Sequence, residues 1–302
     1  MKKYFKFLTI LFVSIVSIFM ITGCEKENSL TNETETTDIQ TKIENRITEL
    51  VEGATDDKKL QDEMREELRF LIDENIAQWD AITIYYSSSN NDFMYQFNGD
   101  EAATRKWISD YMKSLIEDPS LSIRSHRRHT YLVTPKTYTV YVHADLSSQW
   151  MTAVSQAIAE WNALGLTVKL ATGGWTYSKT NANAITVISE NIGQSYSNGD
   201  LPTIGGIPGV NIRIHTNNPS TSASQKKFLM AHELGHTIGF RHTDTGDGIA
   251  LTSSSYSCIP FSCDGTDTYS VMRQGGSAPP SWPGFTYCDQ QVFQCVYWSL
   301  LV

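Results

Sequence analysis

Polar residues without periodicity run from Asn28 to Thr37, and just after them apolar positions begin to recur every three or four residues. Ile39, Ile43, Ile47, Leu50 and Val51 share one helical face, and Leu60, Met64, Leu68, Leu71 and Ile72 share a second. AITIYY and DFMYQF read as short strands around the loop SSSNN, and Glu101 to Ile116 reads as a helix that stops before Pro119. Nothing in residues 25–120 has the look of a site.

After the basic run RSHRRH (Arg124 to His129) the pattern changes. KTYTVYVHAD (Lys136 to Asp145) alternates as a strand, and Trp150, Val154, Ile158 and Trp161 have helical spacing. LTVKLAT and AITVISE are two more strands, the second apolar enough to be buried on both faces. A glycine-rich stretch, Gly193 to Gly209, leads into the strand VNIRIHT. Pro219 stops that strand, and the serines after it cap a helix from about Ala223 through His236. Strand, helix, three strands and helix predict an α+β domain, a mixed sheet with helices packed on it.

The start of the chain is different in kind. Lys2, Lys3 and Lys6 precede an apolar run from Phe7 to Ile21, too short for a spanning helix, and Ile21-Thr22-Gly23-Cys24 resembles a bacterial lipobox. The resemblance implies a signal peptide over residues 1–23, lipidation of Cys24, a flexible tether over 24–37, and an exported outer-membrane lipoprotein, either on the cell surface or released after processing. The formal net charge is −9, concentrated in residues 25–80, which hold 17 Asp and Glu against 7 Lys and Arg. No basic stripe exists to neutralise phosphates, so nucleic acid is not an expected partner. RSHRRH reads as a solvated linker or an exposed cleavage point between an N-terminal region, 38–128, and a C-terminal domain, 129–302.

Cys258, Cys263, Cys288 and Cys295 crowd the end of the chain, as two disulfides in an oxidising compartment would. Thr286 to Asp289 opens a terminal helix with a capping box. Seven helical residues separate Cys288 from Cys295, about 10 Å and beyond disulfide reach, so each pairs with Cys258 or Cys263 in an order left open.

AHELGHTIGFRH, residues 231–242, gathers three of the seven histidines. His232 and His236 project from one helical face a turn apart, and Glu233 lies beside that face, within reach of a metal-bound water. Gly239 permits a left-handed turn that ends the helix and returns His242 as a third nitrogen donor. Three imidazoles and an open position describe a catalytic zinc site.

The spacing of His232, Glu233, His236, Gly239 and His242 resembles the signature of the metzincin metallopeptidases, and within them HELGHTIGFRHTD is similar to the dual-action HEIGH type. The likeness spans roughly residues 137–298. It implies a twisted, mostly parallel five-stranded sheet, an active-site helix, a Met-turn at Met272 and a C-terminal helix, preceded by a mainly helical pro-region. It also implies a monomeric zinc endopeptidase with protein or peptide substrates, which lie along an edge strand within Gly193 to Gly209, and Pro279, Trp282 and Phe285 as candidate pocket walls. Gln274 stands where some metzincins carry a tyrosine, so three protein ligands are expected. No cysteine lies between Cys24 and Cys258, so a cysteine latch is absent and any inhibition falls to a carboxylate or a steric cover. Asp244, two residues past His242, is a candidate partner for it. Asp244, Asp247, Asp264 and Asp267 read as turn residues and lack the spacing of a known calcium loop, a structural Ca2+ being the secondary reading. His126, His129, His143 and His215 have no ligand spacing and read as surface or strand residues. A surface binding lipoprotein with a non-catalytic zinc site is the rival reading, opposed by the intact Glu233. A thermolysin-like enzyme would need a glutamate as third ligand, and this chain has no glutamate after His242.

Overall fold

The computed structural model describes residues 29–73, 77–97, 99–117, 129, 131–179, 183–193, 196–217, 221–243, 251–254, 256–263, 267, 269–274 and 279–298. The segment through Cys24, most of RSHRRH including His126, and Asp244, Asp247 and Asp264 lie outside the described residues. Contacts divide the chain into two units, 1–44 and 45–302. The helix α1 (Ser29–Ala54) starts in the first, where Lys42 pairs with Asp38 one turn earlier. No described helix is long and apolar enough to cross a membrane.

Within 45–302, α1 buries Ile47 and Val51, and α2 (Lys58–Asp73) buries Met64, Leu68 and Leu71, the faces that the 3.6-residue period marks. Asp57 caps α2 by accepting from the Lys59 and Leu60 amides. The strands β1 (Thr83–Ser87) and β2 (Asp92–Phe97) form an antiparallel hairpin, and β3 (Glu101–Thr104) pairs antiparallel with β2. The helix α3 (Arg105–Glu117) then begins four residues later than the apolar period predicts. Glu101, Ala102 and Ala103 are buried and paired with β2, the first two with β7 as well, so tertiary pairing overrides their helical preference. The Thr104 hydroxyl, accepting from the Trp107 amide at 3.0 Å, sets the new helix start.

The C-terminal part contributes β4 (Thr137–His143), α4 (Ser148–Ala163), β5 (Lys169–Thr176), β6 (Ile185–Glu190), β7 (Ser197–Asp200), β8 (Asn211–His215), α5 (Ala223–Thr237) and α6 (Tyr287–Trp298). The sheet runs β1-β2-β3-β7-β8-β6-β4-β5. From β5 to β8 every pairing is parallel, and β7 runs antiparallel to β8, which makes the expected mostly parallel five-stranded sheet. Three strands of the N-terminal region extend it to eight, with β3 parallel to β7 in the register Glu101↔Gly199 and Ala102↔Asp200. The N-terminal region thus adds strands as well as helices, and β7, the expected open edge, is paired on both sides.

Val140, Val142, Ile185, Val187, Ile212 and Ile214 present the sheet's apolar face to Trp150, Val154, Ile158 and Trp161 of α4 and to α5. Trp161 ties the helices together: its indole donates to the Ala231 carbonyl at 2.9 Å, and its ring meets Phe240, Phe285 and Phe293. On the hairpin side the cement is polar. Glu190 of β6 accepts from Ser87 and Ser88 hydroxyls at 3.0 Å and from the Ser89 amide at 3.1 Å, while the wholly buried Arg213 reaches Glu190 at 2.9 Å and Asp200 at 2.7 Å. Each buried charge is therefore matched, which is the condition for its burial.

Thr286 and Asp289 form the reciprocal cap that starts α6, with bonds of 3.0 and 3.1 Å. The disulfides Cys258–Cys295 and Cys263–Cys288 fix the pairing order and staple the preceding loop to that helix. Cys263–Cys288 closes 25 residues, so replacing both by Ala is expected to lower unfolding free energy by about 3 kcal/mol, read by urea titration; an unchanged midpoint would show that the staple is redundant.

Candidate active site

The site is built on α5. Ser222 caps its start, accepting from the Gln225 amide while Gln225 bonds back to the Ser222 amide. From Phe228 onward every residue of the helix is buried. His232 and His236 stand a turn apart, and Gly239 ends the run with φ +105°. A side chain there would be strained by that φ and would lie 3.0 Å from Leu132 and the Tyr131 carbonyl, so glycine is required twice over. The Phe240 amide closes the turn on the Gly235 carbonyl at 2.9 Å, and the reversed chain delivers Arg241 and His242.

The three rings converge. Their Nε2 atoms lie 3.0 Å (His232 to His236), 3.2 Å (His236 to His242) and 3.3 Å (His232 to His242) apart. Nδ1 of His232 faces the Val271 carbonyl at 2.6 Å and Nδ1 of His236 faces the Phe240 carbonyl at 2.9 Å. A carbonyl only accepts, so those nitrogens carry protons, and Nε2 is the nitrogen of each ring left to ligate a metal. Nitrogens bound at 2.0–2.1 Å to one tetrahedral ion would sit about 3.3 Å from each other. The donor set therefore fits a metal ion such as zinc. Nδ1 of His242 has no partner among the described residues.

Beneath the rings, Ser270 to Met272 form the expected turn. A Cβ on Gly235 would stand 2.3 Å from the Met272 sulfur, so the glycine of HELGH lets the turn press against the helix. Asp289 of α6 holds the turn by accepting from the Ser270 hydroxyl at 2.5 Å and the Val271 amide at 3.0 Å. The Val271 carbonyl in turn orients His232, a chain from the last helix to the centre.

Glu233 is fully buried beside β7. The Ser197 hydroxyl donates to its Oε1 at 2.7 Å, and its Oε2 has no hydrogen-bond partner among the described residues. Gly199 leaves the carboxylate room, since a Cβ there would come within 3.1 Å of Oε2.

A fourth group arrives from a segment with no site signature. Asp100, in the turn before β3, places Oδ1 2.7 Å from Nε2 of His242 and 3.4 Å from that of His236, and Oδ2 3.1 Å from that of His232. The four side chains can each offer one ligand atom, all within 4.8 Å of one another. Asp100 thus joins the three expected histidines as a group that could face a metal, although residues 25–120 showed no site signature. A lone aspartate far away in sequence has no spacing to betray it, and only the β3–β7 pairing carries it here. The next residue, Glu101, grips Arg241 through Nε at 2.9 and 3.1 Å and through Nη2, with both side chains buried.

Charge follows this geometry. Burial works against ionisation of Asp100, but His242 and His232 outweigh it and hold the carboxyl well below its usual range. Burial would depress His232, yet the Asp100 carboxylate beside it lifts it to about 9. Burial first, and then the charge of Asp100, push Glu233 well above the ordinary carboxylate range. A centre of this kind calls for positive charge at its middle.

The remaining candidates lie elsewhere. Trp282 and Phe285 pack against the core, and the Pro279 carbonyl accepts from Gln225 at 2.8 Å. His143 bonds Asp145 at 2.8 Å and His215 bonds the Gly193 carbonyl at 2.7 Å. His129, read as a surface or strand residue, is buried against Trp107, and its amide donates to the Gly239 carbonyl at 2.7 Å. Asp267 accepts from the Tyr269 amide at 3.0 Å and the Thr286 hydroxyl at 2.5 Å, as a turn residue does.

The sequence profile of the dual-action HEIGH metallo-peptidase family matches residues 112–265. Among curated proteins nothing matches. Two solved structures of myroilysin are 15% and 16% identical, each covering 55% of this chain, and 82% and 86% of their own chains are covered, at TM-scores of 0.35 and 0.36. High choriolytic enzyme 1, a hatching enzyme zinc-protease from the medaka fish Oryzias latipes, is 16% identical over 53% of this chain and 88% of its own, at a TM-score of 0.33.

Asp289→Asn would point an amide N–H2 at backbone and hydroxyl donors, loosening the Val271 carbonyl and with it His232. Zinc affinity is expected to fall roughly 10- to 100-fold, read by competition with a chromophoric chelator. Undiminished affinity would mean that His232 needs no such support.

Proposed function

Because the chain belongs to the dual-action HEIGH metallopeptidase family and is a zinc metallopeptidase, we propose that it hydrolyses peptide bonds of extracellular proteins with His232, His236 and His242 as the zinc ligands and Glu233 as the general base. The observation that carries this reading is the inward convergence of three Nε2 atoms beside a buried carboxylate, one oxygen of which has no hydrogen-bond partner among the described residues. When bound, zinc polarises a substrate carbonyl and acidifies water. Glu233 takes the proton from the attacking water at Oε2 and passes it to the departing amine nitrogen. Ser197, bonded to Oε1, keeps the carboxylate turned toward the rings. The buried walls exclude bulk water and so strengthen each charge interaction inside.

In this reading residues 38–128 are a pro-region. Asp100 occupies the position a substrate carbonyl needs, and β3 takes the backbone edge along which a substrate would lie. Cutting within RSHRRH frees both. Residues 1–24 support export of a monomeric chain held at the outer membrane through Cys24 until the cut, which releases the catalytic domain.

Replacing Glu233 by Gln is expected to leave zinc bound, by metal analysis, and to lower casein cleavage by the processed chain at least about 1000-fold. Retained cleavage would remove Glu233 from its role. Asp100→Ala is expected to shorten the lag before casein turnover once the chain is cut within RSHRRH, followed in a continuous assay; an unchanged lag would show that Asp100 does not help to hold the site shut.

A further inference from the structure

Glu101 and Arg241 are the wholly buried ion pair nearest the histidine centre. Arg241 directly precedes His242, and Glu101 directly follows Asp100, so the pair sits one residue from the group that faces the three Nε2 atoms. The Glu101 Oε1 lies 3.9 Å from Nδ1 of His236, on the side away from the metal position. Phe97 of the same N-terminal hairpin lies over the guanidinium, its ring centre 5.9 Å away. On the other side Arg241 joins Thr243, Leu251, Met272 and Phe293 in lining a cavity of about 30 Å³ behind the Met-turn.

Backbone contacts divide from side-chain contacts here. The Gly199 amide donates to the Asp100 carbonyl at 3.2 Å and the Leu201 amide to the Ala102 carbonyl at 3.3 Å. Any extended peptide can supply those carbonyls, so the edge of β7 reads no sequence. Between these two bonds the Glu101 side chain leaves the strand and meets Arg241 with three N–H···O contacts. A guanidinium that is 1% exposed is a costly thing to keep without a carboxylate in front of it.

Resting on the reading of residues 38–128 as a pro-region, we propose that Glu101 is a stand-in for substrate, and that Arg241 is the specificity-determining residue of the active enzyme. It selects an acidic side chain on the residue adjoining the scissile bond. When the pro-segment departs, the carboxylate position in front of Arg241 passes to the substrate. Planar, forked donors favour a carboxylate over an isosteric amide, so the discrimination is between Glu and Gln, and not between large and small.

The test uses the full chain cut between Arg124 and His129, by trypsin or through a protease site placed there. Peptides carry Glu, Gln, Asp, Asn, Lys or Ala on either side of the bond, and mass spectrometry locates each cut. Glu over Gln at one of the two adjoining positions is expected to raise kcat/KM roughly 10- to 100-fold, with the difference lost in Arg241→Gln and the preference moved toward Lys in Arg241→Glu. A second readout needs no turnover: binding of the Glu and Gln peptides to the cut chain stripped of metal, by fluorescence anisotropy, is expected to differ about tenfold in wild type and not in Arg241→Gln. Equal kcat/KM and equal binding for Glu and Gln in the wild type would overturn the proposal and leave Glu101 a latch only. Silence toward all peptides with the binding difference intact would sink the peptidase reading and spare the Arg241 pocket.

Discussion

Two carbonyl oxygens decide what the centre can be. Val271 and Phe240 each claim the Nδ1 proton of a histidine, and this turns the opposite ring nitrogens of His232 and His236 inward, where each meets a proton or a metal ion. A third ring at 3.2–3.3 Å completes a set of nitrogens that one cation can join. The rest of the C-terminal part serves that arrangement. Gly239 turns the chain, Gly235 admits Met272, Asp289 fixes the turn that carries Val271, and two disulfides hold the loop before the turn to the helix that carries Asp289.

The N-terminal region acts on the same centre by completing a sheet. An edge strand has unmet amides and carbonyls, and β3 satisfies those of β7 as a peptide would. The pairing is short, but it is braced by Glu190 in the grip of the β1–β2 loop and by Arg241 in the grip of Glu101. These are buried polar contacts between segments far apart in sequence. Breaking one partner away leaves a charge in a poor solvent, so such a joint holds firmly.

Local patterns made most elements legible. Alternation marked β4, β6 and β8, the spacing of Trp150, Val154, Ile158 and Trp161 marked α4, and Ser222 and Thr286 marked the starts of α5 and α6, because these signals are written in neighbouring residues. The helical spacing of Cys288 and Cys295 excluded one disulfide pairing but left two, since direction across a loop is not local. Glu101 to Thr104 carries a helical pattern yet forms a strand, because the reward for extending it lies in β2 and β7, outside any window around it.

For the site, the sequence by itself determined the cluster of His232, Glu233, His236, Gly239 and His242, because a helix turn and one glycine bring them together over eleven residues of local geometry. Asp100, Glu101 and Ser197 were decided only by the tertiary structure. A lone acidic or hydroxyl side chain has no period and no spacing, and its role comes from the strand order that lays β3 against β7 and β7 against the helix. Chemistry carried by one helix can be read along the chain, whereas chemistry assembled across a sheet waits for the sheet to form.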